Sequence, residues 1–476
     1  MSSPITLILF GFTGNLSRTK IIRSWLFLFV RGLLPAEWTL IGVGRRRLSD
    51  QELARMVQES AGNDWDSVSP EQKTEFLQRI KYVSGDLHKD DVYIQLKAKL
   101  EAWPDHSLAV YVSTFPNLYA DVISSLHRHK LFITKTGTWQ RILIEKPLGM
   151  DTASSSKLNA ALHELLPEKD IYRIDHYLAK ETVQNIVAFR FANGVFENMW
   201  NSQHIDHIQV MFAESGGVEG REEFYNQTGI IRDILQNHVL QLLSVLLMEE
   251  PNSLDAQQIQ QKRLDVLSDF AILSNTDVLN NCRFGQYEGA KLERKVATAA
   301  AVRFTVDNPR WRGMPIYVRA GKKMKTNVIE ANVVFKEPLN KMFATQAQPQ
   351  PGNVLTIRIQ PNEGIALRLN LKKPGITFSL GPVAMSFCYR SGFGTLSLVE
   401  AYSKVLFDAI NGDTSLFLDA KGTDACWRIV EPLLDDRLVS QLLTTYPANS
   451  WGSESFAQIL SSPRAWIEPD LSVCAI

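Results

Sequence analysis

Two kinds of hydrophobic pattern divide this chain. In the N-terminal third, short apolar runs alternate with segments of helical periodicity, and continuous apolar runs are typical of parallel strands covered on both faces. The predicted strands span residues 5–10, 38–44, 80–83, 108–113 and 140–144. The predicted helices span residues 51–58, 71–78, 92–100, 120–127 and 153–165. This alternation predicts an α/β domain with a doubly wound parallel sheet.

Past residue 181 the pattern changes to runs in which apolar and polar residues alternate, as expected of an antiparallel sheet with one covered face. The predicted strands span residues 207–212, 300–306, 316–319, 331–335, 354–359 and 364–371. Helices are predicted at residues 183–191, 229–248 and 400–410. We therefore expect an α+β domain with one large, mainly antiparallel sheet, whose outer face is a candidate dimer interface. The predicted domains are residues 1–175 and 176–476.

Composition narrows the class of protein without identifying it. Lysine plus arginine and aspartate plus glutamate both count 51, so the formal net charge is zero. That balance argues against nucleic acid or an anionic membrane as a partner, and any anion site must be local. The four cysteines form no metal-binding or redox motif, so free thiols in a reducing compartment are expected. With no signal-peptide pattern and no apolar run long enough for a bilayer, we expect a cytoplasmic protein.

The first strand ends in a glycine-bearing turn that is typical of phosphate binding. Gly11 permits the tight turn, and Gly14 lets the backbone approach a pyrophosphate at the start of the following helix. A plain strand–turn–helix corner is the alternative, because the spacing is shorter than in the usual dinucleotide fingerprint. The second strand runs into Arg45-Arg46-Arg47, where an NAD enzyme usually carries an acid. These arginines favour NADP, with a solvated basic turn as the alternative.

The densest mixture of acids and bases lies at residues 173–181, which read RIDHYLAKE. Asp175 either caps a helix whose polar residues face the solvent, or it belongs to a catalytic group. His238 lies on a predicted helix that is nearly apolar beyond it. A histidine there is either a core residue whose hydrogen bonds are made within the protein, or a general base paired with a carboxylate. Lys146 follows the last strand of the N-terminal sheet, at the edge where such sheets bind ligands.

Several motifs occur in order along the chain, within a stretch from residue 5 to about residue 463: GFTGNLS, GVGRRRLS, EKPLG, RIDHYLAKE, ESGGVEGREEFYNQTGIIRDILQNHVLQ, MPIYVRAGKKM, PNEGIALRLNLKKPG and AYSKVLFDAINGDTSLFLDAKGTDACWRIVEPLL. Together they resemble the glucose-6-phosphate dehydrogenase family, and RIDHYLAKE is close to its active-site signature. The resemblance implies a Rossmann-like NADP-binding domain followed by a substrate-binding and dimerisation domain. It also implies oxidation of D-glucose 6-phosphate to 6-phospho-D-glucono-1,5-lactone, the first step of the pentose phosphate pathway. A homodimer or homotetramer is expected.

The resemblance also assigns roles to residues. His238 matches the family's base, which removes the C1 hydroxyl proton as hydride leaves for nicotinamide, and Asp175 matches the carboxylate that orients it. The residues that match the substrate site are Lys146, His176, Tyr177, Lys180, Glu214, Asp233 and Lys322. The residues that match the cofactor site are Gly11, Thr13, Gly14, Lys20, Arg45 and again Lys146. His176 and Lys180 are expected one helical turn apart, converging on one phosphate. No metal is expected, because hydride transfer is the cofactor's chemistry.

Four positions depart from the family's pattern: Phe12, Asn15, Ala179 and Asn327. Asn15 removes a carboxylate from the phosphate turn, and Phe12 replaces a small residue there. Ala179 replaces a glycine of the signature. Asn327 stands where a second basic residue is expected, with Lys323 or Lys325 as candidate substitutes.

Two other functions remain open at this stage. One is an NAD(P)-dependent sugar dehydrogenase of the glucose–fructose oxidoreductase type, which shares the dinucleotide domain and the EKP turn but needs no phosphate site. The other is a catalytically inactive NADP-binding paralogue, which would bind the cofactor without turnover.

Overall fold

A computed structural model of the protein describes residues 3–132, 137–292, 296–337, 352–393, 398–472 and 474. The chain divides into two compact units. The first comprises Met1–Ala179, Pro251–Gln261 and Val399–Asp424, and the second comprises Lys180–Glu250, Lys262–Leu398 and Ala425–Ile476. This division differs from the linear one after residue 175, because two later segments fold with the N-terminal unit.

Six parallel strands form the sheet of the first unit: β1 (Ile5–Phe10), β2 (Trp38–Gly44), β3 (Ile80–Ser84), β4 (Ser107–Val112), β5 (Gln140–Ile144) and β6 (Ile171–Arg173). Their order is β3-β2-β1-β4-β5-β6, so the winding reverses direction between β1 and β4. Every residue of β1, β2 and β4 is buried, which explains their continuous apolar runs. The predicted doubly wound parallel sheet is confirmed, and such sheets bind ligands at the carboxyl ends of the strands beside the reversal.

The α-helices of this unit are Ile22–Val30, Asp50–Ala61, Pro70–Gln78, Asp90–Leu100, Tyr119–Arg128, Thr152–Leu165 and Ala401–Asn411. Shorter helical turns lie at Ser17–Ile21, Gly62–Ser67, Pro116–Leu118 and Glu168–Asp170. The five helices predicted in this region all occur. Capping boxes define some of their first residues, because the side chains of Ser49, Ser69 and Asp151 accept hydrogen bonds from backbone N–H groups three residues later.

The helix Ala401–Asn411 belongs to the first unit because its apolar face is buried there. Val405, Leu406 and Ala409 lie in the same hydrophobic core as the apolar residues of β1. Further on, the ring of Phe417 packs edge-on against Tyr172 of β6, with centroids 4.7 Å apart. Each fully buried aliphatic side chain contributes about 1.5–3 kcal/mol, so this packing holds a distant segment in the N-terminal unit.

Nine strands form the sheet of the second unit: β7 (Ile205–Ala213), β8 (Cys282–Tyr287), β9 (Ala299–Phe304), β10 (Ile316–Gly321), β11 (Val328–Phe335), β12 (Val354–Gln360), β13 (Gly364–Lys372), β14 (Leu380–Cys388) and β15 (Leu443–Tyr446). Their order is β14-β13-β12-β11-β7-β10-β9-β8-β15. The pairs β7–β10 and β8–β15 are parallel, and the other neighbours are antiparallel. The predicted large, mainly antiparallel sheet is therefore confirmed.

Among the residues that the structure describes, the hydrophobic pattern misses four strands, namely β6, β8, β14 and β15. Two of these are too short to show a period, since β6 has three residues and β15 has four. β14 is an edge strand whose middle residues are exposed, so it carries little apolar alternation. β8 contains a glycine and polar residues, which weakens its strand signal.

The helices of the second unit are Glu181–Phe191, Gly194–Glu197, Glu222–Ile230, Leu240–Leu247, Asn275–Asn281, Tyr389–Gly392 and Asp436–Leu442, with π-helix at Ile231–Val239 and 3₁₀ turns at Glu431–Leu434 and Glu454–Ile459. The helices Ala256–Ser268 and Ala420–Val430 contain residues of both units. The helical run Glu222–Leu247 passes a test of length and hydropathy for a membrane span, but 89% of its apolar window is buried inside the protein. It is therefore a core helix.

The prediction of free thiols is wrong for two of the four cysteines. Cys388, at the end of β14, is disulfide-bonded to Cys474, and their Cα atoms are 5.4 Å apart. Cys282 and Cys426 are buried thiols outside this disulfide. The bonded pair is separated by 86 residues and lies in no spacing motif, so only the fold brings the two thiols together.

Candidate functional site

The turn after β1 has the backbone that a phosphate cradle requires. Gly11 adopts φ +78°, which favours glycine, and its N–H donates to the Val43 carbonyl at 3.0 Å. The Gly14 N–H donates to the Gly11 carbonyl at 2.8 Å. A Cβ at Gly14 would lie 3.0 Å from that same oxygen. Helical structure begins directly after Gly14, at Asn15, so a glycine cradle followed by a helix N-terminus fits the pyrophosphate of a dinucleotide.

The end of β2 lies beside this turn. A Cβ at Gly44 would lie 3.3 Å from Thr13 Oγ1, which places the Thr13 side chain next to the end of the strand. Arg45 follows directly and its side chain is exposed. The Tyr82 hydroxyl donates to the Arg46 carbonyl at 2.8 Å, which holds the backbone of the arginine turn. An exposed guanidinium at this position fits the adenosine end of a dinucleotide.

The two departures in the turn have local explanations. Phe12 points into the core, where its ring occupies the space beside Gly42, so it does not crowd the phosphate cradle. Asn15 is exposed, and its backbone carbonyl accepts a hydrogen bond from the Thr19 hydroxyl at 2.8 Å. Lys20, expected at the cofactor phosphates, forms an ion pair with Glu400 at 3.0 Å, and both side chains are nearly half exposed.

At the carboxyl ends of β4 and β5 lies a buried carboxyl group that the sequence analysis missed. The Tyr111 hydroxyl donates to Glu145 Oε1 at 2.6 Å, and the Tyr119 hydroxyl donates to the Glu145 carbonyl at 2.9 Å. Burial raises the pKa of Glu145 to about 7, against the opposing effects of Tyr111 and Lys146. Lys146 follows directly, at the edge where it was expected, and its peptide bond to Pro147 is cis. The one sequence signal for Glu145 was its position next to Lys146.

The segment RIDHYLAKE is not helical where a helix was expected, and this prediction is wrong. After β6, residues 176–179 form a turn, and the next helix begins at Glu181. Asp175 Oδ1 accepts the backbone N–H of Tyr177 at 3.0 Å, and this local bond stabilises a turn in competition with a helix. His176 and Lys180 are therefore not one helical turn apart.

The side chains of this segment are otherwise well packed. Asp175 and Tyr177 are buried, and the half-buried His176 ring lies 4.7 Å from the Tyr177 ring. Ala179 is 1% exposed and belongs to the core of the first unit, so its methyl group packs against other apolar side chains. Lys180 is the first residue of the second unit, where its ammonium donates to Gln360 Oε1 at 2.7 Å.

In the second unit, the fold brings together three residues of the predicted substrate site. β7 and β10 are parallel neighbours, so Glu214 and Lys322 follow their carboxyl ends side by side, with the Glu214 N–H donating to the Gly321 carbonyl at 2.9 Å. The Lys322 ammonium lies 2.7 Å from Glu214 Oε2 and 2.9 Å from Asp233 Oδ2. Burial lowers the pKa of Lys322, but the two carboxylates outweigh it and the net shift is upward. The result is a charged cluster rich in hydrogen-bonding groups.

His238 lies in an unusual helical stretch. Gly229 has φ 57° and ψ −176°, so the predicted continuous helix 229–248 is interrupted at its first residue. Ile231–Val239 is then π-helical, and Leu240–Leu247 is α-helical. Because a π-helix bonds residue i to i+5, Asp233 and His238 lie about one turn apart, whereas an α-helix would separate them by about 140°. The π-helical stretch thus brings the two side chains toward one face.

His238 itself is almost fully buried. Its backbone N–H donates to Asn237 Oδ1 at 2.7 Å, and Asn237 Nδ2 donates to the Arg232 carbonyl at 2.9 Å. Both bonds join the Asn237 side chain to the backbone of the π-helical stretch. They give hydrogen-bond partners to polar groups that are buried there.

Asn327, the fourth departure, has a structural partner. Its Oδ1 accepts the Ser215 N–H at 2.8 Å, so it fixes the loop that follows Glu214. Of the two candidate substitutes, Lys323 pairs with the exposed Glu219 at 3.0 Å. Lys325 lies over the Trp451 ring, 5.7 Å from its centroid.

Comparison with known proteins accounts for nearly the whole chain. Residues 8–185 match the family model described as glucose-6-phosphate dehydrogenase, NAD binding domain, and residues 187–467 match its C-terminal domain. A glucose-6-phosphate 1-dehydrogenase of Chlamydia pneumoniae is 34% identical, over 97% of this chain and 96% of that protein. One of Treponema pallidum is 35% identical, over 98% of this chain and 96% of that protein.

Solved structures give the same result. A glucose-6-phosphate dehydrogenase in complex with its substrate glucose 6-phosphate superposes with a TM-score of 0.88 at 30% identity, covering 98% of this chain and 100% of that one. The Mycobacterium avium glucose-6-phosphate 1-dehydrogenase gives a TM-score of 0.86 at 29% identity, covering 99% and 100%. A levoglucosan dehydrogenase with NADH, at 12% identity and a TM-score of 0.51 over 92% of this chain and 98% of that one, shares the fold alone.

Proposed function

This chain belongs to the glucose-6-phosphate dehydrogenase family, and we propose that it oxidises D-glucose 6-phosphate to 6-phospho-D-glucono-1,5-lactone with NADP as hydride acceptor. The observation that carries the proposal is the match of both family domains across residues 8–185 and 187–467. This reaction opens the pentose phosphate pathway, and we place it in the cytoplasm.

In this proposal, His238 removes the proton of the sugar's C1 hydroxyl through an imidazole nitrogen. Asp175 orients that ring and stabilises the imidazolium that forms. As the proton leaves, the C1–H bond breaks with its electron pair and C1 becomes the carbonyl carbon of the lactone. Burial of both groups supports the assignment, because a base shielded from water keeps its orientation and acts on the substrate alone.

His176, Tyr177 and Lys180 hold the 6-phosphate. A dianion is bound best by charge-assisted hydrogen bonds from ammonium and imidazolium groups. Lys180 already donates to the amide oxygen of Gln360, so its ammonium is held in a defined position. Lys146, at the carboxyl edge of the parallel sheet, contacts both substrate and cofactor.

Glu214, Asp233 and Lys322 bind the sugar hydroxyls. The carboxylates accept hydrogen bonds from hydroxyl groups, and the ammonium between them holds both carboxylates in position. Because Asp233 and His238 belong to one π-helical stretch, the residue that binds a hydroxyl is rigidly linked to the residue that takes a proton.

Gly11, Thr13 and Gly14 hold the pyrophosphate of the cofactor, with Lys20 near its phosphates and Arg45 at the 2′-phosphate of the adenosine. When bound, NADP supplies the hydride acceptor. An arginine in place of the usual acid at the end of β2 favours NADP over NAD.

Replacing Arg45 tests this cofactor preference. We expect Arg45→Ala to raise the KM for NADP at least ten-fold while the KM for NAD changes less than two-fold, since one charge-assisted contact contributes about 1.5–3 kcal/mol. Arg47→Ala, a neighbouring exposed arginine, is the matched control. An equal effect of Arg45→Ala on both cofactors would show that Arg45 does not bind the 2′-phosphate.

The direct test of the activity uses purified protein with glucose 6-phosphate and NADP. We expect one NADPH for each sugar phosphate oxidised, with the lactone or its hydrolysis product as the other product. Cofactor binding without turnover would reject the proposal and favour an inactive paralogue. A homodimer or homotetramer remains part of the proposal, and the molar mass in solution measures it.

A further inference from the structure

Tyr402 stands out among buried groups that the proposed mechanism does not use. It is the second residue of the helix Ala401–Asn411, and its side chain is 6% exposed. Its backbone N–H donates to Glu400 Oε2 at 2.7 Å, and Glu400 in turn pairs with Lys20 of the first helical turn. The start of this helix is therefore fastened close to the phosphate turn of the first unit.

The ring of Tyr402 stacks on His176. The two centroids are 5.7 Å apart and the ring planes differ by 16°, a nearly parallel arrangement. The Tyr177 ring also contacts His176: the two ring centroids are 4.7 Å apart, and the ring planes differ by 46°. Two tyrosine rings thus restrict the orientation of the half-buried His176.

The side chain of Tyr402 lies in buried surroundings. Burial raises the pKa of Tyr402 far above its ordinary value, and the nearby charges of Glu145, Glu400 and Asp175 add to this effect. The phenol therefore stays protonated. Because Tyr402 is buried and its ring stacks on His176, the ring has little freedom to rotate away.

We propose that Tyr402 is a positioning residue for sugar-phosphate binding, whose buried, stacked ring holds the imidazole of His176 in the orientation that meets the phosphate. This inference rests on the proposed function of His176. It assigns a task to a segment far from the active-site signature, because the helix Ala401–Asn411 supplies one wall of the histidine's surroundings.

The test compares three variants by steady-state kinetics and by calorimetric binding of glucose 6-phosphate. We expect Tyr402→Leu to raise the KM and the Kd for glucose 6-phosphate about three- to ten-fold, the range for loss of an aromatic pair, with kcat within two-fold. Tyr402→Phe keeps the stacked ring and should recover most of the affinity. Tyr172→Leu is the matched control, since it truncates another buried tyrosine of the same unit and should leave the KM unchanged.

A double-variant cycle decides whether Tyr402 acts through His176. In a His176→Ala background, Tyr402→Leu should add less than two-fold to the KM, because the group it positions is gone. The same multiplicative loss in both backgrounds, or an equal loss in Tyr172→Leu, would overturn the inference. Wild-type turnover reports separately on the proposed function, and if turnover is absent the calorimetric Kd values make the same comparison. Wild-type protein that neither binds nor oxidises glucose 6-phosphate would refute both proposals.

Discussion

His238 and Lys180 have different proposed tasks, and their variants should therefore fail differently. His238→Asn removes the base but keeps a polar side chain of similar size, so we expect kcat to fall by about 10²–10⁴ with little change in the KM for the sugar. Lys180→Ala should instead raise that KM at least ten-fold, because a charge-assisted hydrogen bond to the phosphate is lost. Initial rates over a range of glucose 6-phosphate concentrations measure both effects. If the two variants show the same pattern, the assignment of their roles is wrong.

The buried carboxyl group of Glu145 should make the unfolding free energy depend on pH. Burial raises its pKa to about 7 in the folded protein, against an ordinary value of 4.5, so the folded state holds its proton more tightly than the unfolded state does. The stabilising contribution is therefore complete below the ordinary pKa and is lost as the pH rises through about 7. The loss amounts to about 3 kcal/mol over this interval.

Glu145→Gln removes this dependence. We expect the difference in unfolding free energy between wild type and variant to shift in the variant's favour by about 3 kcal/mol from about pH 5 to about pH 8. Denaturant unfolding at the two pH values measures the shift. A difference that does not change with pH would mean that Glu145 titrates normally in the folded protein.

At the scale of single elements, the break at Gly229 controls the π-helical stretch that carries Asp233 and His238. Gly229 has φ 57° and ψ −176°, and a Cβ there would approach Val296 Cγ1 to 3.1 Å. We expect Gly229→Ala to lower the unfolding free energy by about 1–3 kcal/mol and to reduce kcat/KM, because the stretch must shift. Gly194→Ala is the control, since nothing lies within 4 Å of a Cβ at Gly194. Equal stability of the two variants would contradict this account.

The elements also show which parts of the fold are readable from sequence. Buried strands such as β1 and β2 are continuous apolar runs, and their periodicity alone locates them. The helix expected through RIDHYLAKE does not form, because Asp175 bonds to a backbone N–H nearby and favours a turn. The edge strand β14 is not predicted, because its residues are mostly exposed and give no apolar alternation.

Within the candidate site, the resemblance identifies residues that periodicity cannot. The cluster of Glu214, Asp233 and Lys322 depends on two parallel strands and a helix meeting at one end of the sheet. The stacking of Tyr402 on His176 depends on a helix far along the chain folding with the N-terminal unit. Such contacts between distant segments leave no local pattern, so only the structure reveals them.

At the scale of the whole molecule, the disulfide gives the second unit a covalent link that the sequence analysis did not foresee. Closing a loop of 86 residues restricts the unfolded chain and contributes up to about 5 kcal/mol of stability. We expect Cys474→Ser, or reduction of the wild type, to lower the thermal midpoint of unfolding. Reductant should have no further effect on Cys474→Ser. If reductant leaves the wild-type midpoint unchanged, the link does not stabilise the protein.

The central claim is that the protein oxidises a phosphorylated sugar and recognises its phosphate. The most direct measurement is the ratio of kcat/KM for glucose 6-phosphate to kcat/KM for free glucose, with NADP as acceptor. Two charge-assisted contacts to the phosphate contribute about 4 kcal/mol together, so we expect a ratio of about 10³ in favour of glucose 6-phosphate. Equal specificity constants for the two sugars would contradict the account and favour a dehydrogenase of the glucose–fructose oxidoreductase type.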